Sequence, residues 1–423
     1  MFNLLRKHFR LLFISLLSLI IVFQFIIIYN SYKKSYKTDE SSSILIKPYN
    51  RADYILRAII IYYPQENEQT FLPELRWLYR SWCEMMKLEP KNWRTDLIIF
   101  TNEYSESLKK LKCINKIRKI DFDQPPQCRV IRYISLNKRD ENILVRFTNM
   151  LSGEIQQVIS IPNKNNTSTF KNDKRSEMLF KNLKTYVYID GINCLFEGYS
   201  TFKMYDYVLR TDIDVFLTKE FANYIPIKSS MIVGEGMYGT TYNRLKLYRI
   251  ARSIDLMSTN ISDMSSTWYG SPTMIHLISD LTLDCMLHLA IHEFARAERD
   301  NQVGRILWPY WCFDLLSYYG QQMALNHLVA TGKLNVTNNR QLLDQSTTSN
   351  NTNLALHLHC DFNNNKTKFS KVAFKTGLYD TIDPETLLVT NAQTYAMKIA
   401  LESKLMTLDQ LANSLITIGN NIE

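Results

Sequence analysis

An unbroken apolar run, Leu11 to Ile28 (LLFISLLSLIIVFQFIII), divides this chain before any other feature does. It carries no charge, and only Ser15, Ser18 and Gln24 are polar. With Tyr29 it reaches the ~20 residues a helix needs to cross a hydrocarbon layer of about 30 Å. A cleaved signal peptide is the competing reading, but its apolar core spans about 7–15 residues and ends at small residues. Here Tyr29, Asn30, Ser31, Tyr32, Lys33 and Lys34 follow instead. The expectation is a retained transmembrane signal anchor over 11–29, with a cytoplasmic tail over 1–10 and a polar Ser/Lys-rich stem over 30–50. Arg6, Lys7 and Arg10 before the span balance Lys33, Lys34 and Lys37 after it, so flanking charge does not orient it. The short tail favours a single-pass type II membrane protein with its bulk in the Golgi or endoplasmic reticulum lumen. Sequons at Asn165, Asn166, Asn260, Asn335, Asn350 and Asn365 are compatible with that placement.

Beyond the stem, a chain of 423 residues with 46% hydrophobic and 22% charged residues excludes collagen-like or largely disordered organisation. The net charge of +9 would suggest nucleic acid, but six of the basic residues flank the apolar run, so nucleic acid is not the expected partner. Seven cysteines (Cys83, Cys113, Cys128, Cys194, Cys285, Cys312, Cys360) contain no C-x-x-C pair, which argues against a zinc ribbon. In an oxidising lumen two or three disulfides are expected, with pairing undetermined.

Arg57–Tyr63 and Asp96–Thr101 read as buried strands, and Phe71–Met86 as a helix with Pro73 in its first turn and Leu75, Leu78, Tyr79 and Trp82 on one face. Strand, helix, strand with continuously apolar strands predicts a mostly parallel α/β sheet flanked by helices. Ile131–Leu136 and Tyr186–Ile189 are further strand candidates. Residues 138–184 read as a polar, exposed insertion, and Lys109–Lys119 as a solvated basic helix face. No second apolar stretch is expected to span a membrane, since Leu281–Ile291 contains Asp284 and His288.

The segment Tyr205–Leu217 (YDYVLRTDIDVFL) carries the most chemistry. Asp212 and Asp214 lie between two apolar strand ends, and a side-chain period of two points both carboxylates the same way. Two close carboxylates beside a buried sheet repel unless a cation shares them. A divalent ion, manganese or magnesium, is the expected solution, in the place where open α/β sheets bind ligands.

This stretch, with the preceding anchor, stem and strand–helix–strand, resembles the GT-A class of nucleotide-sugar glycosyltransferases. The resemblance covers roughly residues 55 to 380. Trp268–Ile275 (WYGSPTMI) is similar to that class's small-residue segment near the donor sugar. Trp311-Cys312-Phe313-Asp314 with Gln321, Gln322 and Asn326 is similar to its acidic region, and His357-Leu358-His359-Cys360 resembles its late metal-binding histidine. The H-x-x-G-x-x-K continuation is not reproduced after His359.

The resemblance implies a Rossmann-related catalytic domain over 51–385, followed by a helical extension over 386–423. It implies manganese or magnesium on Asp214, on Asp212 directly or through water, and on His359 or His357. Donor contacts from Arg210, Asp212, Gly270, Ser271 and Lys368 follow from it too, with Lys366 and Lys371 near the diphosphate. Asp314 is implied as the base, flanked by Trp308, Tyr310 and Trp311. The donor would be a nucleotide sugar, and the acceptor a glycan, protein or lipid hydroxyl.

Rival motifs fail. His288 and His292 lack the glutamate placement of zinc peptidases, and a helix continuing through Ala297 is expected there. Val233-Gly234-Glu235-Gly236 lacks the Lys-Ser/Thr of a phosphate loop. Two further classes remain open: an idle glycan- or protein-binding domain of the same fold, and a cytosolic peripheral protein of reversed topology.

Overall fold

The computed structural model describes residues 54–115, 125–139, 145–148, 156–159, 170–227, 229–259, 261–295, 298–299, 309–337, 342–360 and 368–420. The anchor and stem expected over 11–29 and 30–50 lie outside them, as do Trp308, Lys366 and the sequons at Asn165, Asn166, Asn260 and Asn365. The described residues belong to one unit, Ala52–Glu423.

The strands are β1 (Ile55–Tyr62), β2 (Trp93–Thr101), β3 (Cys128–Arg132), β4 (Val145–Thr148), β5 (Gln156–Ile159), β6 (Tyr207–Arg210), β7 (Val215–Leu217), β8 (Ser230–Glu235), β9 (Met264–Gly270), β10 (Asn335–Thr337), β11 (Gln345–Ser346) and β12 (His357–His359). Seven form the central sheet in the order β10-β8-β9-β6-β1-β2-β3. Only β9 runs against its neighbours β6 and β8, so the sheet is mostly parallel, as the apolar strands predict. A second sheet holds β11, β12 and β7.

Period two sorts each central strand between two cores. Leu56, Ala58, Ile60, Ile98 and Phe100 pack on one face, against the helices Asp190–Glu197, Pro272–His292 and Leu316–Ala330. Ile59, Ile61, Leu97 and Ile99 pack on the other, with the helices Glu68–Met86 and Ala392–Leu405 and the second sheet. Both faces are covered, which is why these strands read as continuous apolar runs.

The first helix begins at Glu68, a turn before the expected start, so Pro73 lies inside it. Its inward face is as expected: Leu75, Leu78, Tyr79 and Trp82 are fully buried. Other expectations are corrected. Ile131–Leu136 leaves the sheet at Arg132, and Tyr186–Ile189 is a turn between two helices, where the Tyr186 hydroxyl donates to the Asp314 carbonyl at 2.9 Å. The stretch 138–184 is not wholly exposed, because the helix Phe170–Leu183 buries Leu179 and Leu183. The helix through His288 stops at His292, capped by Glu293.

That helix, Pro272–His292, is long and apolar enough to cross a membrane, contrary to the expectation that no second stretch would be. Half of it is buried, and it packs against Leu316–Ala330 as a core helix. Ser271 caps its start by accepting from the Met274 amide, and Pro272 pre-sets the first turn. The C-terminal helices Ala392–Leu405 and Leu408–Asn420 pack on the first helix, where Arg80 meets Glu402 at 2.7 Å.

Cysteine chemistry is simpler than expected. Cys113 and Cys128 form one disulfide, and the other five are buried thiols. The bridge closes a 15-residue separation, so the Cys113→Ser, Cys128→Ser double variant should lose about 3 kcal/mol in denaturant unfolding. Asp190 supplies a pH prediction. Its Oδ1 accepts from the Tyr133 hydroxyl and the Leu136 amide, both at 2.9 Å, and burial pushes its pKa up to about 6. The folded state therefore holds this proton more tightly than the unfolded chain does. That contribution is full below about pH 4 and is lost as pH rises through about 6. Asp190→Asn keeps the acceptor and removes the charge. Between pH 4 and pH 7 wild type should lose about 2–3 kcal/mol more stability than the variant, measured by urea unfolding; parallel pH curves would refute this.

Candidate metal centre

The chain leaves the central sheet at Arg210 and enters the second sheet at Val215, so Asp212 and Asp214 lie on the crossing. The Thr211 amide still donates to the Ile60 carbonyl at 3.1 Å, and a bend follows at Ile213–Asp214. The crossing starts at the carboxyl end of β6, where open α/β sheets bind ligands. Antiparallel pairing then decides what joins the carboxylates. His359 pairs with Val215, and the Cys360 amide donates to the Asp214 carbonyl at 3.1 Å, which sets the His359 ring beside Asp214. Ligand atoms of Asp212, Asp214 and His359 lie within 4.8 Å of one another.

His359 Nε2 is 3.3 Å from Asp214 Oδ1 and 4.0 Å from Asp212 Oδ2. Lys371, at the start of the short helix Lys371–Lys375, donates to Asp214 Oδ2 at 2.5 Å. Ser266 of β9 donates to Asp212 Oδ2 at 2.6 Å. Burial opposes charge on Asp214, yet Lys371 and His359 hold its carboxyl well below the usual range. Burial likewise opposes charge on His359, and Asp214 and Asp344 overcome it, so its pKa is raised. Glu74 sits behind, ion-paired to Lys375; burial and the Asp214 charge push it up to about 7.

Two carboxylates and one imidazole are a donor set that suits manganese. The other imidazole nitrogen, Nδ1, is already engaged by the Asp344 carboxylate at 3.1 Å, the support that metal-binding histidines usually have. The residues present therefore fit a divalent ion held by Asp212, Asp214 and His359.

The other candidates fall elsewhere. His357 is fully buried, with Nε2 at 2.7 Å from the Thr211 hydroxyl and Nδ1 at 3.3 Å from the Asp344 amide, so neither nitrogen is open to an ion. Period two does place it on the His359 side of β12, one step deeper. Arg210 is buried, bonded to the carbonyls of Ser266 and Gly191 and 3.6 Å from Asp212, and its guanidinium lies over Trp268. Gly270 closes β9 against β8, where a Cβ would be 3.3 Å from Met231. Ser271 is the helix cap described above. Lys368 offers its carbonyl to the Tyr379 hydroxyl at 2.7 Å; the lysine that reaches the carboxylates is Lys371.

Asp314 stands in the turn Phe313–Leu315 ahead of the helix Leu316–Ala330 and does not join the cluster. Trp311 stacks between Phe294 and Tyr319, at 5.2 and 4.4 Å, in a packed aromatic column, while Tyr310 is exposed. Gln321 accepts from the Trp268 indole and Gln322 from the Tyr238 hydroxyl, so both tie elements together.

Asp344 and Ser266 escape sequence reasoning. Asp344 lies in a polar run with only a two-residue strand after it, and Ser266 in a strand with no charged neighbour. The one available signal was Gly234, set in the β-rich sequence MIVGEG.

The profile of a family described as a domain of unknown function, DUF7164, matches residues 51–421. The chain belongs to that family. No curated protein matches it. Among solved structures, mouse xyloside xylosyltransferase 1 in its apo form is similar at 11% identity and a TM-score of 0.33, covering 69% of this chain and 88% of that one. The apo structure of WbbM, a bifunctional glycosyltransferase, is similar at 10% identity and a TM-score of 0.35, covering 83% of this chain and 52% of that one. Likeness at those scores assigns no chemistry to the DUF7164 chain.

Lys371→Met tests the electrostatics of the centre. Without the ammonium Asp214 loses its nearest cation, and metal-free stability should fall by about 2 kcal/mol. Millimolar manganese should restore most of that loss in thermal unfolding, and a deficit indifferent to manganese would contradict the assignment.

Proposed function

We propose that this DUF7164 chain is a metal-dependent glycosyltransferase of GT-A-like fold, transferring a sugar from a nucleotide-sugar donor to an acceptor hydroxyl. The observation that carries the proposal is the convergence of Asp212, Asp214 and His359 at the carboxyl end of β6, with His359 buttressed by Asp344. When bound there, manganese supplies Lewis acidity toward a departing nucleoside diphosphate. Asp214, nearly buried, provides a fixed negative charge, and Asp212, the more exposed of the two, would meet the donor. Lys371, now bonded to Asp214, is the cation that would meet a diphosphate oxygen. The reading also places the chain in the secretory pathway as a type II membrane protein. The apolar run over 11–28 supports that placement, as does the Cys113–Cys128 disulfide, a bond of oxidising compartments.

One observation favours a second reading. The Lys371 ammonium already neutralises Asp214, which is what an idle, metal-free binding domain of the same fold would need. Thermal unfolding with manganese and a panel of nucleotide sugars separates the two. Under the transferase reading, one nucleotide with manganese should raise the melting temperature of wild type by several degrees, and Asp214→Asn should abolish the shift. If no nucleotide sugar moves wild type with or without metal, the transferase proposal fails and the binding-domain reading stands.

A further inference from the structure

We propose that Asp344 is a positioning residue that presents His359 to the metal, with His357 and Gly234 serving its placement. The inference rests on the metal reading above and deepens it.

An imidazole binds a metal through whichever nitrogen carries no proton, and the partner of its other nitrogen decides which that is. His359 Nδ1 is 3.1 Å from Asp344 Oδ1, whereas Nε2 faces Asp214 and Asp212. Donation from Nδ1–H to Asp344 reserves Nε2 for the side of the two carboxylates, where an ion would take the place of the Nε2 proton. A carboxylate suits this task because a charged acceptor holds Nδ1–H more strongly than a carbonyl does.

Asp344 is itself tightly held. Its side chain is 3% exposed, and Oδ1 also accepts from the Thr267 hydroxyl of β9 at 2.7 Å. Its amide donates to His357 Nδ1 at 3.3 Å, and His357 Nε2 in turn meets the Thr211 hydroxyl at 2.7 Å. Thr211 directly precedes Asp212. His357 therefore spans from the carboxylate loop to the residue that orients His359, which accounts for a fully buried histidine beside a metal site that it does not join.

Two departures from ordinary geometry serve the same end. Asp344 adopts φ +56°, a left-handed conformation that costs a non-glycine residue free energy and persists only where its surroundings enforce it. Its Oδ2 is buried without a hydrogen-bond partner and lies against Gly234 of β8. A Cβ built on Gly234 would come within 1.5 Å of that oxygen, so any side chain there would evict the carboxylate. A glycine inside a strand weakens the strand. Here it makes the room that Asp344 requires.

The test uses the purified protein, manganese alone as the probe, and two variants that alter no ligand. Manganese affinity is measured by the electron paramagnetic resonance signal of the free ion. Asp344→Asn, which keeps shape and an acceptor oxygen, should weaken binding about 10-fold, and Gly234→Ala about 10–100-fold. Nitrogen-15 imidazole spectra of metal-free wild type should show His359 protonated on Nδ1. A purely structural role would lower melting temperature in both variants but leave manganese affinity per folded molecule unchanged, and that result would overturn the proposal. A His359 whose Nδ1 carries no proton in wild type would overturn it equally. If wild type takes up no manganese while His359 is protonated on Nδ1, the metal reading falls and the Asp344–His359 orientation stands.

Discussion

Three residue pairs of antiparallel sheet, His357 with Leu217, Leu358 with Phe216 and His359 with Val215, join stretches far apart in the sequence. Everything at the candidate metal centre depends on that register. Shifted by one residue, the pairing would turn His359 to the opposite face and leave two carboxylates with no imidazole between them. The register is held by what each strand buries: Phe216 and Leu358 are fully buried, and Phe216 stacks on Trp77 at 5.4 Å. Hydrophobic packing on one side of the small sheet thus positions polar chemistry on the other.

The polar side is costly on its own. Asp214 and the Asp344 side chain are nearly buried carboxylates, and such groups destabilise a fold unless cations and hydrogen bonds meet them. Lys371 and His359 meet Asp214, while Thr267 and the histidines meet Asp344. The compensating residues come from three separate elements, so the centre forms only when β9, β12 and the helix Lys371–Lys375 are all in place.

What the sequence made legible follows the physics of each signal. The mostly parallel sheet could be read from Ile59–Ile61 and Leu97–Phe100, because strands buried on both faces leave continuous apolar runs. Asp212 and Asp214 could be read because a charged pair inside apolar strand sequence demands compensation. His359 could be proposed, but not told from His357, since alternation puts both on one side and only depth separates them. Asp344 could not be read at all. Its role depends on a left-handed backbone and on Gly234, a contact between remote strands that no local pattern records. Asp314 lies apart from the carboxylate cluster, in the turn ahead of the helix Leu316–Ala330, and its neighbour Trp311 belongs to a packed aromatic column.

The crossing from the central sheet to the small one has a mechanical meaning. Asp212 is tied by Ser266 to the central sheet, and Asp214 is tied by the Cys360 amide to the small sheet, with a bend between them. A ligand gripped by both carboxylates is therefore gripped by both sheets, and its binding energy is also a resistance to shear between them. The short linker behaves as a rivet hole: filled, it adds a lock between two plates already tied by the Thr267–Asp344 and Thr211–His357 hydrogen bonds.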